Sequence, residues 1–403
     1  MFDGYLLKGI IHIKLVVLSL EDDSMANKTE LKLARESKVL VLGGTGAMGA
    51  PLVDFLSEYP IEVFYTSRKS GASEKINVTC LTGNAKEKTF LCHVLEQHWD
   101  VIVDFMSYST MQFQERIDWL LAATDQYIFI SSARVYADSV AVITEDSPRL
   151  LDVCTDQLYL STDEYALAKA RQENELFRRK NDDGQRNWTI IRPSLTFSNQ
   201  RLQLGVYEKE NWLRRTLDGK QIVFSKDLLN CYYTMTTGND VARCIMGIIG
   251  NRKCYGEAYH AVSNKSYQWR DILELYLNTL EIKTGTRPKV YFTELCTNLQ
   301  LSETRYQVLY GRYFNRQFDN SKIAEFVDVE SFKDTMDGLQ ECITEFLSEP
   351  QFRETNWKIE ALMDRETGEK TPIAKIPGWK NRIRYILYRE KLDKFYERIR
   401  KLL

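Results

Sequence analysis

A doubly wound α/β sheet is the fold class this sequence predicts, and three observations predict it. From Ser37 to about residue 195, short unbroken apolar runs alternate with stretches of helix formers. The first of those runs, Val39-Leu40-Val41-Leu42, ends in glycines spaced by three at Gly43, Gly46 and Gly49. A Tyr-x-x-x-Lys pair, Tyr165 and Lys169, lies in the helical stretch beyond the fifth run. Continuous apolar runs suit strands covered on both faces, as in a parallel sheet with helices above and below.

Taken in order, Lys38 to Leu42 reads as the first strand and Ala50 to Ser57 as the helix after it. Ile61 to Tyr65 is a second strand and Val78 to Leu81 a weaker third, followed by a helix from Lys86 to Gln97. Val101 to Phe105 is the fourth strand, Gln112 to Ala123 a helix, and Tyr127 to Ile130 the fifth strand. Thr162 to Arg179 combines strong helix formers with apolar spacing on one face. Asp182-Asp183-Gly184 turns the chain into Trp188 to Ile191, a sixth strand closed by Pro193.

These elements define a Rossmann-type nucleotide-binding domain over 37–195. The less regular, aromatic-rich 196–350 reads as a smaller substrate lobe built from insertions. Residues 1–36 form an N-terminal extension. Its apolar stretch Gly9 to Leu20 is interrupted by His12 and Lys14 and is shorter than the roughly 20 residues that span a bilayer. Residues 351–403 read as a basic amphipathic tail, with twelve Lys/Arg against five Asp/Glu from Arg365 onward. Trp379, Ile383, Ile386, Leu387, Phe395, Ile399 and Leu402 recur near helical spacing there. That helix can pack on the protein's own surface, and an anionic membrane or a protein partner are the other readings.

At 403 residues with 44% apolar content, the chain can bury more than one core. A net charge of −2 gives no reason to expect nucleic acid. Eight cysteines scattered without a CxxC pair read as reduced thiols of a cytoplasmic protein. Four histidines leave little for a metal site or for Ser-His-Asp chemistry.

The glycine trio sits where a dinucleotide pyrophosphate would lie. A tight turn needs unusual φ, the backbone must approach the phosphates closely, and the helix N-terminus favours negative charge. At the end of the second strand stands Thr66-Ser67-Arg68-Lys69, with no carboxylate to take a ribose 2′-hydroxyl. A hydroxyl and a guanidinium fork suit a 2′-phosphate, which favours NADP over NAD, although Arg68 and Lys69 also suit a solvated loop.

Two Tyr-x-x-x-Lys matches occur. Tyr65 to Lys69 begins at a strand end and belongs to the cofactor edge. Tyr165 and Lys169 share one helical face, where an ammonium can bring a phenol towards working pH. Ser131 and Ser132 follow the fifth strand at its C-terminal edge, where open α/β sheets bind ligands.

Gly-Gly-Thr-Gly-Ala-Met-Gly at 43–49, Ser-Ser-Ala-Arg-Val-Tyr at 131–136, Tyr-Ala-Leu-Ala-Lys at 165–169 and Ile191-Arg192-Pro193-Ser194 resemble the extended short-chain dehydrogenases/reductases, the NAD-dependent epimerase/dehydratase family. Gly238 to Arg243, Gly256 to His260 and Asp319 to Lys322 are similar to later family segments, so 230–262 is expected to return to the nucleotide domain. The resemblance implies Ser132, Tyr165 and Lys169 as catalytic residues and selects Ser132 over its neighbour. It implies cofactor contacts at Gly43, Gly46, Ala47, Met48, Gly49, Ser67, Arg68, Asn84, Phe105, Lys169 and Pro193. The chain departs from the family at Asn84, where an Asp is usual, and at Phe105-Met106-Ser107, where Leu-Ala-Ala is usual. Ser132-Ala133-Arg134 replaces the Thr-Asp-Glu of the 4,6-dehydratases, which disfavours water elimination.

The resemblance therefore implies a sugar epimerase or keto-reductase with a nucleotide-activated sugar as substrate and a nicotinamide cofactor, for which the residues after the second strand favour NADP over NAD. No metal is expected from the histidine and cysteine pattern, and a homodimer is the expected assembly. Arg201, Arg214, Arg215 and Lys220 are candidates to meet a diphosphate, or are solvated. The alternative is a non-catalytic NADPH-binding regulatory or scaffold protein, against which the intact Ser132, Tyr165 and Lys169 argue.

Overall fold

A computed structural model describes residues 31–71, 75–180, 184–299, 301 and 304–392. The apolar stretch at Gly9 to Leu20 and the tail positions Phe395, Ile399 and Leu402 lie outside the described residues, as do Asp182 and Asp183 of the turn before Trp188.

Seven parallel strands form one sheet: β1 (Lys38–Leu42), β2 (Glu62–Ser67), β3 (Val78–Thr82), β4 (Trp99–Asp104), β5 (Thr124–Ile130), β6 (Trp188–Pro193) and β7 (Ala258–Ala261). Their order is β7-β6-β5-β4-β1-β2-β3. The chain starts in the middle, pairs β1 with β2 on one side and with β4 on the other, and so leaves a crevice between their C-terminal ends.

Alternation along each strand sends its residues to two dry layers. Val39, Val41, Val63, Val101, Val103 and Ile128 face α1 (Gly49–Leu56) and α4 (Gly238–Ile248), which present Leu52, Leu56, Val241 and Ile245. Leu40, Leu42, Ile102, Tyr127 and Phe129 face the other layer, where α2 (Lys88–Val94) contributes Leu91 and α3 (Tyr165–Arg178) contributes Leu176.

Three expected helices are trimmed or divided. The first spans only Lys88–Val94. The second splits into Thr110–Gln114 and Ile117–Ala122, because Arg116 leaves helical geometry (φ −124°) and turns its guanidinium onto the Tyr108 ring, 4.7 Å from its centroid. The third begins at Tyr165 rather than Thr162: Glu164 is its N-cap and accepts from the Ala166 N–H at 2.8 Å, which favours a carboxylate at that helix end.

The second lobe has its own core around Trp212, around Trp269 and Tyr276 of α5 (Trp269–Thr284), and around Leu339 and Phe346 of α6 (Thr335–Ser348). The segment read as a tail is built into that core: Trp357 and Met363 of α7 (Trp357–Thr367) and Tyr385 and Tyr388 of α8 (Trp379–Arg389) are buried in it. Tyrosines make the inward face of α8, while Trp379, Ile383 and Ile386 are 67%, 44% and 42% exposed. No helix among the described residues is long and apolar enough to cross a membrane.

Candidate active site

The glycine loop is set by close contacts. Gly43 adopts φ +81°, a conformation side chains rarely take, and its N–H donates to Thr66 Oγ1 on β2 at 2.9 Å. A Cβ on Gly49 would lie 2.7 Å from the Gly43 carbonyl oxygen and 2.9 Å from Gly44 Cα, so loop and helix can close only around glycine. A Cβ on Gly46 would meet nothing nearer than 3.6 Å, leaving that side open to a ligand. Met48, the N-cap of α1, provides no side-chain cap; the Ala50 N–H is taken by the Gly46 carbonyl at 2.9 Å and Pro51 has no N–H, so within the first turn it is the Gly49 N–H that is left to face an anion. Behind the loop, the carbonyl of Ala47 is packed against Gly238 at the start of α4. The cradle fits a dinucleotide pyrophosphate.

Beside it, a cavity of about 380 Å³ is lined by Gly43, Gly46, Ser67, Arg68, Asn84 and Met106 among others. Arg68 is exposed at the end of β2. The Ser67 hydroxyl accepts from the Lys69 N–H at 3.2 Å. Asn84 spends its amide on its own turn, donating to Glu87 at 3.1 Å and accepting from the Lys86 N–H at 3.1 Å.

A second cavity of about 420 Å³ continues along the sheet edge and brings together Met48, Phe105, Ser132, Tyr165, Lys169 and Pro193. The two serines after β5 diverge. The Ser131 hydroxyl donates to Glu173 at 2.6 Å, inside a buried network in which Glu173 also pairs with Arg192 at 2.8 Å and Arg149 at 3.2 Å. The Ser132 oxygen accepts from the Arg134 N–H at 3.2 Å and lines the same cleft as Tyr165, whose phenol it lowers.

Lys169 is 3% exposed. Its ammonium donates to the Ile130 carbonyl at 2.8 Å and lies 4.4 Å from the Phe129 ring centroid. Burial pushes its pKa down to about 8, against the opposing pull of Asp104 and Glu173. Tyr165 sits at the cleft wall with 42% of its surface exposed. Removal from water raises its phenol, and the Ser132 hydroxyl together with Arg134 and Arg201 works in the opposite direction. The cations that favour the phenolate are thus these two arginines, where helical spacing led to the expectation of Lys169. Arg134 lies 5.7 Å from the Tyr165 ring centroid.

Sequence reasoning passed over Thr66, Arg134, Arg312 and Arg316. Arg134 stood two residues beyond Ser132. Arg312 and Arg316 carry no local signal, because they reach the cleft only through the fold of the second lobe. Of the four candidates for a diphosphate, Arg201 lines this cleft. Arg215 and Lys220 do not. They are bound to Glu360 and Asp364 at 2.7–3.1 Å beneath α7, and Arg214 is spent on Thr355 and the Trp357 ring. Among the described residues no group of His, Cys, Asp and Glu converges as a metal site would.

A dinucleotide loop at a topological switch point, followed along the same edge by a Ser/Tyr/Lys cleft, defines a nicotinamide-dependent enzyme class. The profile of the NAD dependent epimerase/dehydratase family matches residues 39–259, and the chain belongs to that family. It is an NAD-dependent enzyme of the epimerase/oxidoreductase type.

Solved structures share the fold at low identity. The epimerase Mth375 from Methanothermobacter thermautotrophicus is 15% identical, with a TM-score of 0.59 over 79% of this chain and 95% of that one. UDP-glucuronic acid 4-epimerase from Bacillus cereus, in complex with NAD, is 16% identical, with a TM-score of 0.57 over 77% and 98%. A short-chain dehydrogenase/reductase superfamily protein from Agrobacterium tumefaciens with bound NAD is 14% identical, with a TM-score of 0.57 over 78% and 100%. No curated protein matches the sequence.

Proposed function

We propose that this chain is an NAD(P)-dependent epimerase or keto-reductase acting on a nucleotide-activated sugar, with Ser132, Tyr165 and Lys169 as its reacting groups. The observation that carries the reading is their convergence in one cleft with Met48, Phe105 and Pro193, beside the glycine loop. UDP-sugar epimerases among the structural neighbours support the substrate class. The exposed Arg68 at the 2′ edge, beside Ser67 and with no carboxylate in its segment, supports NADP. Free cysteines throughout support a reducing, cytoplasmic setting.

The cofactor, when bound, supplies the acceptor or donor of the hydride. The residues of the chain manage the proton and the geometry. Tyr165, as phenolate, takes the proton of a sugar hydroxyl in oxidation and returns it in reduction. Ser132 holds the reacting oxygen by a hydrogen bond and steadies the phenolate. Lys169, anchored on the Ile130 carbonyl, holds a positive charge at the floor of the cleft and a donor for a ribose hydroxyl. Arg134 and Arg201 add to the field that favours the ionised phenol.

Turnover of a panel of UDP-sugars by wild type and Tyr165→Phe tests this. A loss of about 100-fold or more in kcat with retained NADPH binding is expected, given what one general acid–base group contributes. Unchanged turnover would remove Tyr165 from the mechanism.

A further inference from the structure

The cleft that contains Ser132, Tyr165 and Lys169 is lined by four arginines, Arg134, Arg201, Arg312 and Arg316, and among its lining residues by one carboxylate, Glu164; Arg201 has a second, Glu208, at 3.7 Å outside the lining. Glu164 is already engaged with Arg134 at 2.8 Å and with the start of α3. Arg312 is 2% exposed and donates only to neutral oxygens: Gly205 carbonyl at 3.1 Å, the Tyr233 hydroxyl at 2.6 Å and Gln203 at 3.3 Å. Arg316 is 1% exposed and donates to the carbonyls of Tyr136 at 3.0 Å and Ala137 at 3.2 Å. The Nε groups of Arg134 and Arg316 are buried with no partner.

A buried guanidinium facing only neutral oxygens is short of a counter-charge. Burial together with the charge of Arg134 pushes both side chains down, Arg316 to about 10, and outweighs the opposite pull of Tyr233, of Glu208 on Arg312 and of Asp138 on Arg316. The phenol of Tyr233 is lowered by Arg312, Arg316 and Arg134, the sign of a positive field within the cleft. The field lies close to the reacting groups. Arg134 is two residues beyond Ser132 and stands over the Tyr165 ring, and a Cβ on Gly311 would lie 3.2 Å from Arg134 Nε, so the segment carrying Arg312 abuts it.

We propose that the sugar ring taken by this cleft itself carries a carboxylate or phosphate, held by Arg134, Arg312 and Arg316, in addition to any diphosphate that joins it to a nucleotide. This rests on reading Ser132, Tyr165 and Lys169 as the reacting groups. It deepens that reading by naming the charge of the substrate. Guanidinium forks match either oxyanion.

Calorimetric titration of the full chain at low salt with glucose, glucuronate, glucose 6-phosphate and UDP tests it, alongside Arg134→Gln and Arg316→Gln. Glucuronate or glucose 6-phosphate should bind where glucose does not, the tighter of the two naming the group. Each substitution should weaken that binding at least about tenfold. Arg316→Gln should also be no less stable than wild type to urea, since it removes an uncompensated cation. Binding of UDP alone would overturn the proposal, because the arginines would then serve only a diphosphate. So would a destabilised Arg316→Gln with unchanged affinity, which would make the side chain a structural brace. Tyr165→Phe separates the two levels. If it keeps both turnover and anion binding, the catalytic assignment fails while the anion site stands. If it loses turnover and neither anionic sugar binds wild type, the anion site fails alone.

Discussion

Replacing Lys169 by methionine should make the protein more stable at neutral pH while removing its activity. The ammonium is held at about 8 against an ordinary 10.5, because burial disfavours its charge more than Asp104 and Glu173 favour it. Between those pH values the unfolded chain binds the extra proton and the folded chain does not, so wild-type stability rises as pH rises through the window. Below pH 8 the full penalty applies, about 3 kcal/mol for a shift of this size. Methionine escapes that penalty and keeps the apolar contact with Phe129, but it abandons the hydrogen bond to Ile130, worth about 1 kcal/mol. The net gain at pH 7 is about 2 kcal/mol, and it falls to about zero near pH 9.5 as the wild-type amine discharges. Urea unfolding of both proteins at pH 7 and pH 9.5, with other titrations cancelling in the difference, measures this. A variant less stable than wild type at pH 7, or a difference that does not change with pH, would refute the claim that Lys169 is held charged against its surroundings.

Gly49→Ala places a methyl 2.7 Å from the Gly43 carbonyl oxygen, so it should destabilise by about 1–3 kcal/mol in urea unfolding and weaken dinucleotide affinity in a fluorescence titration. Arg68→Ala should lower affinity for NADPH at least about tenfold and leave NADH unchanged, as competition binding would read; equal loss for both would remove the 2′-phosphate assignment. Glu173→Gln leaves the buried Arg192 without its bidentate partner and should cost about 3–5 kcal/mol, seen as a lower urea midpoint. The Glu173 carboxyl is held below its ordinary value, chiefly by Arg192 against the cost of burial. Its stabilising contribution is therefore present above pH 4.5 and lost as pH falls below it, so wild type and variant should converge in acid.

The central sheet was legible because its inner strands β1, β4, β5 and β6 are buried on both faces and are largely apolar, whereas the half-exposed edge strand β3 read as the weaker run. Lys38–Leu42 was read to the residue, and the others missed by one to three residues at ends where polar residues continue the ladder, as at Thr66 and Ser67 of β2. The division at Arg116 was not legible, since it follows from a guanidinium turning inward onto Tyr108 from the next turn. Nor was the fate of the C-terminal segment. Of the apolar stripe found by periodicity, Trp379, Ile383 and Ile386 are exposed, and Leu387 alone of its described members packs against the core. The packed face is made of Tyr385 and Tyr388, whose phenols a hydropathy pattern counts as half polar, and Asp364 receives the Tyr385 hydroxyl at 2.7 Å.

The site divides along the same line. Local spacing sufficed wherever a residue acts through its own element: glycines around one turn, tyrosine and lysine on one face of α3, serine at one strand end. It failed wherever charge is shared across lobes. Arg215 and Lys220 seemed free to meet a phosphate because their partners, Glu360 and Asp364, lie about 140 residues away in the sequence. Arg312 and Arg316 seemed unremarkable because the groups that hold them are equally remote in sequence, Gly205 lying 107 residues before Arg312 and Tyr136 180 residues before Arg316. A basic residue in a sequence is a ligand candidate only if the fold denies it an acid. In this protein the cluster at α7 is saturated with carboxylates and the cleft is not, so the unsatisfied charge collects where the chemistry is, and the ligand must bring the neutralising group.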